Sequence, residues 1–395
     1  MTAPPNAFDV IVLGAGAAGL MCALTAGQRG RKALVLEHLD KPGAKILISG
    51  GGRCNFTNLD CQPDRFLSDN PHFCRSALSR YTQSDIIALV SKHNIAYHEK
   101  TLGQLFCDGS ARAIVAMLLD ECTAGGVDLR LRHTVSAVLR PDNFRVETSH
   151  GVFTAPALVL ATGGLSIPKM GATGFSLDLA RQFGLRLTET GPALVPFKAG
   201  SDTGLCDPAL AGVSLEAIAA IGARRFREAI LFTHRGISGP AILQISSYWR
   251  EGRALTLDLL PGLDAAAHLV ALKQQRPKSA PHTLLAEILP ARLAQALAAA
   301  HLPPGEIGNV PDKVLASFAE GLKGWTLRPN GTEGYAKAEV MRGGIDTRDL
   351  SSKTMEARSV PGLYAIGEAV DVTGWLGGYN FQWAWSSGWC AGQAV

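Results

Sequence analysis

The chain has 395 residues, 47% hydrophobic and 18% charged, with a formal net charge of +4 at pH 7. That length exceeds one ordinary core and predicts two or three folding units, and the composition excludes disorder over most of the chain. The basic residues are scattered apart from short clusters such as Arg224, Arg225 and Arg227, a balance that argues against a nucleic-acid or membrane-surface partner.

The stretch from Phe8 to Gly27 is apolar, but it contains Asp9, lacks a basic leader and is broken by close glycines, so it reads as neither a signal peptide nor a membrane helix. The cysteines at 22, 54, 61, 74, 107, 122, 206 and 390 form no CxxC pair and no His/Cys metal spacing. They read as reduced thiols of a cytoplasmic protein without a metal. The 43 glycines bunch at 14–19, 50–52, 162–164 and 374–378, as expected where backbone approaches a ligand closely.

Asp9 to Leu13 predicts a strand buried on both faces, followed by the turn Gly14-Ala15-Gly16-Ala17-Ala18-Gly19 and a helix to about Arg29. Gly14 permits the tight turn, Gly16 removes the Cβ that would block a pyrophosphate, and Gly19 allows close helix packing. A second strand, Lys32 to Leu36, ends at Glu37, where a carboxylate suits ribose hydroxyls and disfavours a 2′-phosphate. Strand, glycine turn, helix and acid together predict a dinucleotide site.

The segment from Pro42 to Asn58 joins glycine flexibility to a cation, a thiol and amides. It reads as a lid over an anionic cofactor, with Lys45 and Arg53 toward the pyrophosphate and Gly52 and Asn55 toward a flavin ring or ribityl chain. Cys54, beside Arg53, is either a small packing residue, the preferred reading, or a thiol of lowered pKa.

Asp128 to Val138 and Phe144 to Val152 read as strands, and Val135 in the first is counted among the cofactor-facing positions. Ala157 to Ala161 predicts a buried strand running into Thr162-Gly163-Gly164. From Val360 the chain repeats the physics of strand, acid, glycine turn and helix. Gly367, Glu368 and Asp371 are placed for ribityl hydroxyls, and Gly378, Tyr379, Asn380 and Gln382 open a helix whose positive end suits the flavin pyrimidine edge. Trp375, Trp383 and Trp385 either line a pocket or, the commoner case, fill the core. A site assembled from both chain ends favours FAD over a nicotinamide alone. No second GxGxxG follows Gly164, which leaves NADH or NADPH as a transient donor entering the substrate cleft.

The motifs GAGAAG, GAKILISGGGRCNFTN, LFTHRGISGP and GLYAIGEAVDVTGWLGGYNFQWAWSSG together resemble the YhiN/BaiN-type bacterial flavoproteins, the aminoacetone-oxidase-like group. The resemblance spans almost the whole chain and implies an α/β fold: a Rossmann-like FAD-binding domain interrupted by an inserted β-barrel-like domain that carries a small helical subdomain. Composition shifts place the FAD domain at 1–190 and 345–395, the β-rich insert at 191–262 and 324–344, and the helical piece at 263–323. In the insert, runs at Ala193–Lys198, Gly212–Ile221, Ala229–Thr233 and Arg253–Leu259 read as strands. The tail ends three residues after Gly392, which predicts a short closing helix.

His234 and Arg235, in the turn before a helix, are the candidate catalytic pair: an imidazole to move a proton and a guanidinium to clamp a carboxylate or carbonyl. A purely structural turn is an equal reading. The expected function is an FAD-dependent reductase or oxidase of a small organic molecule. The resemblance suggests reduction of enone-like carbons or amine oxidation. The alternative is a non-catalytic flavin sensor or assembly protein using the insert as a partner surface. An RNA-modifying role is disfavoured by the weak net charge and the absence of a basic stripe interleaved with aromatics.

Overall fold

A computed structural model describes residues 6–199 and 208–395; Cys206 lies outside the described residues. The chain divides into two compact units, one formed by Met1–Pro192 with Val340–Val395 and the other by Ala193–Glu339.

The first unit is built on a five-stranded parallel sheet. In chain order its strands are β1 (Val10–Leu13), β2 (Ala33–Leu36), β3 (Asp128–Arg130), β4 (Ala157–Leu160) and β5 (Leu363–Ala365), arranged β5-β4-β1-β2-β3. β1, β2, β4 and β5 are buried at every position. Their unbroken apolar runs follow from cover on both faces, which removes the polar half of the usual alternation. Helix α1 (Ala17–Gln28) is likewise buried from Ala18 to Gly27. One side packs on the sheet, and the closing helix α2 (Tyr379–Gly392) covers the other.

That helix is fourteen residues long, a correction to the short helix expected from the tail. Its glycines explain how it fits: a Cβ on Gly388 would stand 2.5 Å from the Ala18 carbonyl oxygen, and one on Gly392 would stand 2.6 Å from that of Cys22. The two helices therefore approach backbone to backbone, and the C-terminal glycines serve packing more than termination.

The strand expected from Asp128 to Val138 is two strands. Arg132 takes a left-handed conformation (φ +60°), so Asp128–Arg130 ends the parallel sheet and Val135–Leu139 starts an antiparallel meander with Phe144–Thr148 and Gly151–Ala155. A second antiparallel sheet pairs Gln104–Cys107 with Asn55–Asn58 and with Tyr97–Glu99.

The second unit carries a seven-stranded antiparallel sheet in the order Trp325–Leu327, Leu255–Asp258, Ser214–Ile221, Arg224–Thr233, Gly236–Ser238, Phe197–Ala199, Pro329–Thr332. Its two outermost strands are consecutive in the chain, separated only by Arg328. The sheet must therefore curl until its edges meet, which is the closure of a small barrel. The run expected from Ala193 is broken between two short strands, Gly191–Ala193 and Phe197–Ala199, and the one expected from Ala229 begins five residues earlier at Arg224. The arginines masked that start, although Phe226, Ile230 and Phe232 alternate inward through it. Four helices follow the Leu255–Asp258 strand, Ala265–Gln275, Pro281–Leu285, Ala291–His301 and Asp312–Lys323, with Pro290 standing as the cap of the third.

Gly388→Ala forces a methyl into the α1 backbone, and overpacking of this kind costs about 1–3 kcal/mol. A lowered midpoint in urea unfolding of the flavin-free protein is the expected result, and an unchanged midpoint would show that the helices have slack.

Candidate cofactor site

The first glycine turn sorts its residues by what surrounds them. A Cβ on Gly14 (φ +105°) would meet the Ala161 carbonyl oxygen at 2.7 Å, and one on Gly19 would meet the Gly14 oxygen at 2.0 Å. Gly16 has nothing within 4 Å. Packing against the protein's own backbone therefore requires the first and third glycines, whereas the second faces open space, where a ligand's pyrophosphate needs close approach. α1 starts at Gly16 with no side-chain cap and no acid in its first turn, leaving its positive end for an anion.

Glu37 is buried at the end of β2. Its Oε2 accepts the Ala15 N–H at 2.8 Å, and its Oε1 accepts the Leu39 N–H at 3.0 Å and lies 3.0 Å from His38 Nδ1. The carboxylate thus braces the glycine turn, and each oxygen retains acceptor capacity.

In the second loop Gly50, Gly51 and Gly52 all have positive φ (56°, 68° and 85°), a run that only glycine adopts without strain. Gly51 has no heavy atom within 4 Å of its Cβ position. Arg53 is exposed. Cys54 is fully buried, and burial pushes its thiol up to about 12, so it packs and is no reactive thiolate. Val135 opens the meander and is partly buried.

Lys45 sits apart from the role expected of it. Its Nζ lies 2.6 Å from Glu368 Oε2 and 2.7 Å from Ser166 Oγ, Ser166 also donates to Glu368 Oε1, and that oxygen accepts the Met341 N–H at 2.9 Å. Lys45 is thus the counter-ion of Glu368, a pairing that half-buried charges need, rather than an unengaged cation for the pyrophosphate. Ser166 was missed from sequence; its signal is its place two residues past the Thr162-Gly163-Gly164 turn. Thr162 Oγ1 lies 2.7 Å from Ser176 Oγ, and Gly163 has φ +75° with Glu368 Oε2 3.6 Å from its Cβ position. Gly164 is packed by Met341, 2.8 Å from its Cβ position.

The C-terminal cluster returns to the first turn: a Cβ on Gly367 would touch that of Ala18 at 2.9 Å. Asp371 is buried and accepts the Asp69 N–H at 2.9 Å; burial pushes its carboxyl up to about 6. Asn380 accepts the Gly374 N–H at 2.8 Å and donates to the Gly374 carbonyl at 2.9 Å, closing its own turn. Gln382 is buried among Thr57, Tyr81 and Ser386, and Asn55 turns its oxygen to the Gly378 N–H at 3.2 Å. These three amides, expected to face the cofactor, hydrogen-bond within the protein and tie the loops together. Tyr379 is buried against Phe66 and Trp375. Trp383 and Trp385 fill the core and donate to the Gly367 and Phe56 carbonyls.

The open space over Gly16, the uncapped start of α1 and the braced Glu37 fit a dinucleotide. In the second unit, His234 and Arg235 form the exposed tip between two barrel strands, and Arg235 pairs with Glu333 at 3.1 Å.

Fold and site together define a flavoprotein oxidoreductase with a Rossmann FAD-binding architecture. The chain belongs to the HI0933-like family of FAD-dependent oxidoreductases: the family model, HI0933-like protein Rossmann domain, matches residues 8–394. It is 50% identical to the ribosomal RNA dihydrouridine synthase of Escherichia coli (strain K12), over 98% of this chain and 97% of that protein. It is 46% identical to the protein of the same name from Haemophilus influenzae, over 98% of each, and 29% identical to the 3-dehydro-bile acid delta(4,6)-reductase of Clostridium scindens, over 97% and 98%. Among solved structures, a 3-ketosteroid-delta4-(5alpha)-dehydrogenase from Rhodococcus jostii RHA1 shares the fold at a TM-score of 0.51 and 15% identity, over 99% of this chain and 98% of that one. The expectation of no nucleic-acid partner is corrected by the two proteins named for ribosomal RNA: a near-neutral total charge does not report how charge is distributed. Among the described residues no helix is long and apolar enough to cross a membrane.

Glu37→Ala leaves the Ala15 and Leu39 N–H groups without their acceptor, each orphan costing about 1–3 kcal/mol. Less FAD retained per protein on gel filtration is expected; full retention would separate Glu37 from cofactor binding. Asp371 binds its proton more tightly folded than unfolded, so the stability it contributes is present below about pH 4 and lost as pH rises through about 6. Asp371→Asn should therefore gain stability over the native chain between pH 5 and 8, by at most about 3 kcal/mol. Thermal melts of the flavin-free proteins check this, and a pH-independent difference would contradict it.

Proposed function

We propose that this protein reduces uridine in ribosomal RNA to dihydrouridine, with FAD as cofactor and NADH or NADPH as electron donor. The observation that carries the reading is 50% identity, across nearly the full length of both chains, to a protein named for that activity. The chemistry agrees with the expectation of enone reduction, since the uracil C5=C6 bond is conjugated to the C4 carbonyl. The substrate is then a nucleobase within a polymer rather than a free small molecule.

FAD, when bound, supplies a two-electron carrier able to pass a hydride to one carbon of that bond. The protein must hold the cofactor and provide the proton for the second carbon. Gly14, Ala15, Gly16, Ala18, Gly19 and Glu37 are the proposed dinucleotide contacts. Gly52, Arg53, Val135, Thr162, Gly163, Gly164, Gly367, Glu368, Asp371 and Gly378 are the proposed contacts along the rest of FAD. The Lys45–Glu368 pair holds the second loop to the C-terminal cluster. His234 is the proposed proton donor and Arg235 a substrate clamp; both are exposed at their hairpin tip.

The test is anaerobic incubation of the holoprotein with unmodified ribosomal RNA and NADH or NADPH, followed by nucleoside mass spectrometry. Uridine gaining two hydrogens with one of the two donors is expected. Oxidation of either donor without any dihydrouridine would overturn the assignment of RNA as substrate. His234→Ala should lower the rate on the order of 10²-fold while flavin content is kept, and an unaltered rate removes it from the reaction.

A further inference from the structure

We infer that one end of the barrel in the second unit is a phosphate-binding surface for RNA, built from Arg224, Arg225, Arg253 and Arg328 around Tyr248. The inference rests on the proposed RNA substrate and adds where that RNA is held.

The sequence scatters these residues over a hundred positions, and the barrel collects them. The hairpin that joins Ser214–Ile221 to Arg224–Thr233 turns at Gly222 (φ +58°), pairing Ile221 with Arg224 and Ala220 with Arg225. Ala220 also pairs with Thr256, which puts Leu255 and the turn before it, with Arg253, beside the hairpin tip. Leu255 in turn pairs with Leu327, so Arg328 leaves the next strand at the same end. Three neighbouring strand ends thus deliver their arginines to one edge.

The aromatic component is Tyr248, partly exposed on that edge, with the Arg224 guanidinium 5.3 Å from its ring centroid. A guanidinium held against an aromatic face is preorganised and keeps its outward N–H groups for phosphate oxygens. Arg224, Arg225, Arg253 and Arg328 are exposed. The acids nearby among the described residues do not cancel the charge. Among the described residues, Glu216 is taken by Arg227 at 2.7 Å, Asp258 by Lys323 at 3.0 Å, and Glu228 is half-buried beside Gln244, which leaves Glu251 in the turn as the exposed exception. A local excess of arginine beside an aromatic is the footprint of single-stranded RNA contact, the feature that linear reading of the chain did not find.

The test compares the native holoprotein with Arg224→Gln/Arg225→Gln/Arg253→Gln, using deproteinised ribosomal RNA as the probe in filter binding at several salt concentrations. Neutralising three phosphate contacts should weaken binding at least tenfold near physiological salt. It should also flatten the slope of log K against log salt by about two, with the flavin spectrum and melting temperature unchanged. Equal affinity and slope in the two proteins would overturn the surface even if the native protein makes dihydrouridine. Loss of binding in the variant would uphold it even if no dihydrouridine forms, in which case only the reaction assigned above fails. Absence of RNA binding by the native protein overturns it as well.

Discussion

Helix α2 lies on α1 with Gly388 and Gly392 against the carbonyl oxygens of Ala18 and Cys22, and that contact joins two stretches of chain separated by the whole inserted unit. Because the approach is backbone to backbone, it sets the position of everything α2 carries at its start: the Gly374–Gly378 turn, Asn380 closing it, and Gln382 and Trp383 reaching to Thr57, Tyr81 and Gly367. The candidate cofactor site is consequently a property of the folded first unit. Neither the N-terminal motif nor the C-terminal one contains it.

Within that unit, buried and half-buried carboxylates do the joining that apolar packing cannot direct. Glu37 ties the first glycine turn to the loop after β2. Glu368 ties Lys45 and Ser166 to the Met341 backbone, and Asp371 takes the Asp69 N–H. Each is a polar group removed from water that must be satisfied locally, so each specifies one arrangement of the loops around the open space over Gly16. The same geometry that makes them candidate hydroxyl partners makes them structural.

Total charge and surface field separate sharply in this protein. A net +4 over 395 residues reads as unremarkable, yet barrel closure gathers arginines from positions 224 to 328 onto one edge, where Glu216 and Asp258 are paired with Arg227 and Lys323. A polyanionic substrate responds to the local field within about a Debye length. The sum over the chain is a poor guide to it.

Reading the chain alone was sufficient for the parallel sheet, because its signal is local: unbroken apolar runs, the first leading into closely spaced glycines. Glycine clusters at both ends with a compositional change between them led to the expectation of an interrupted domain. Side-chain partners were not legible. Lys45, Asn55, Asn380 and Gln382 have the chemistry of ligand contacts, and only the fold shows that their partners are Glu368, Gly378, Gly374 and Tyr81. The length of α2, the split at Arg132 and the arginine edge of the barrel were hidden for the same reason. Each is decided by which distant backbone comes near, and pairing across hundreds of residues leaves no mark in local spacing or composition.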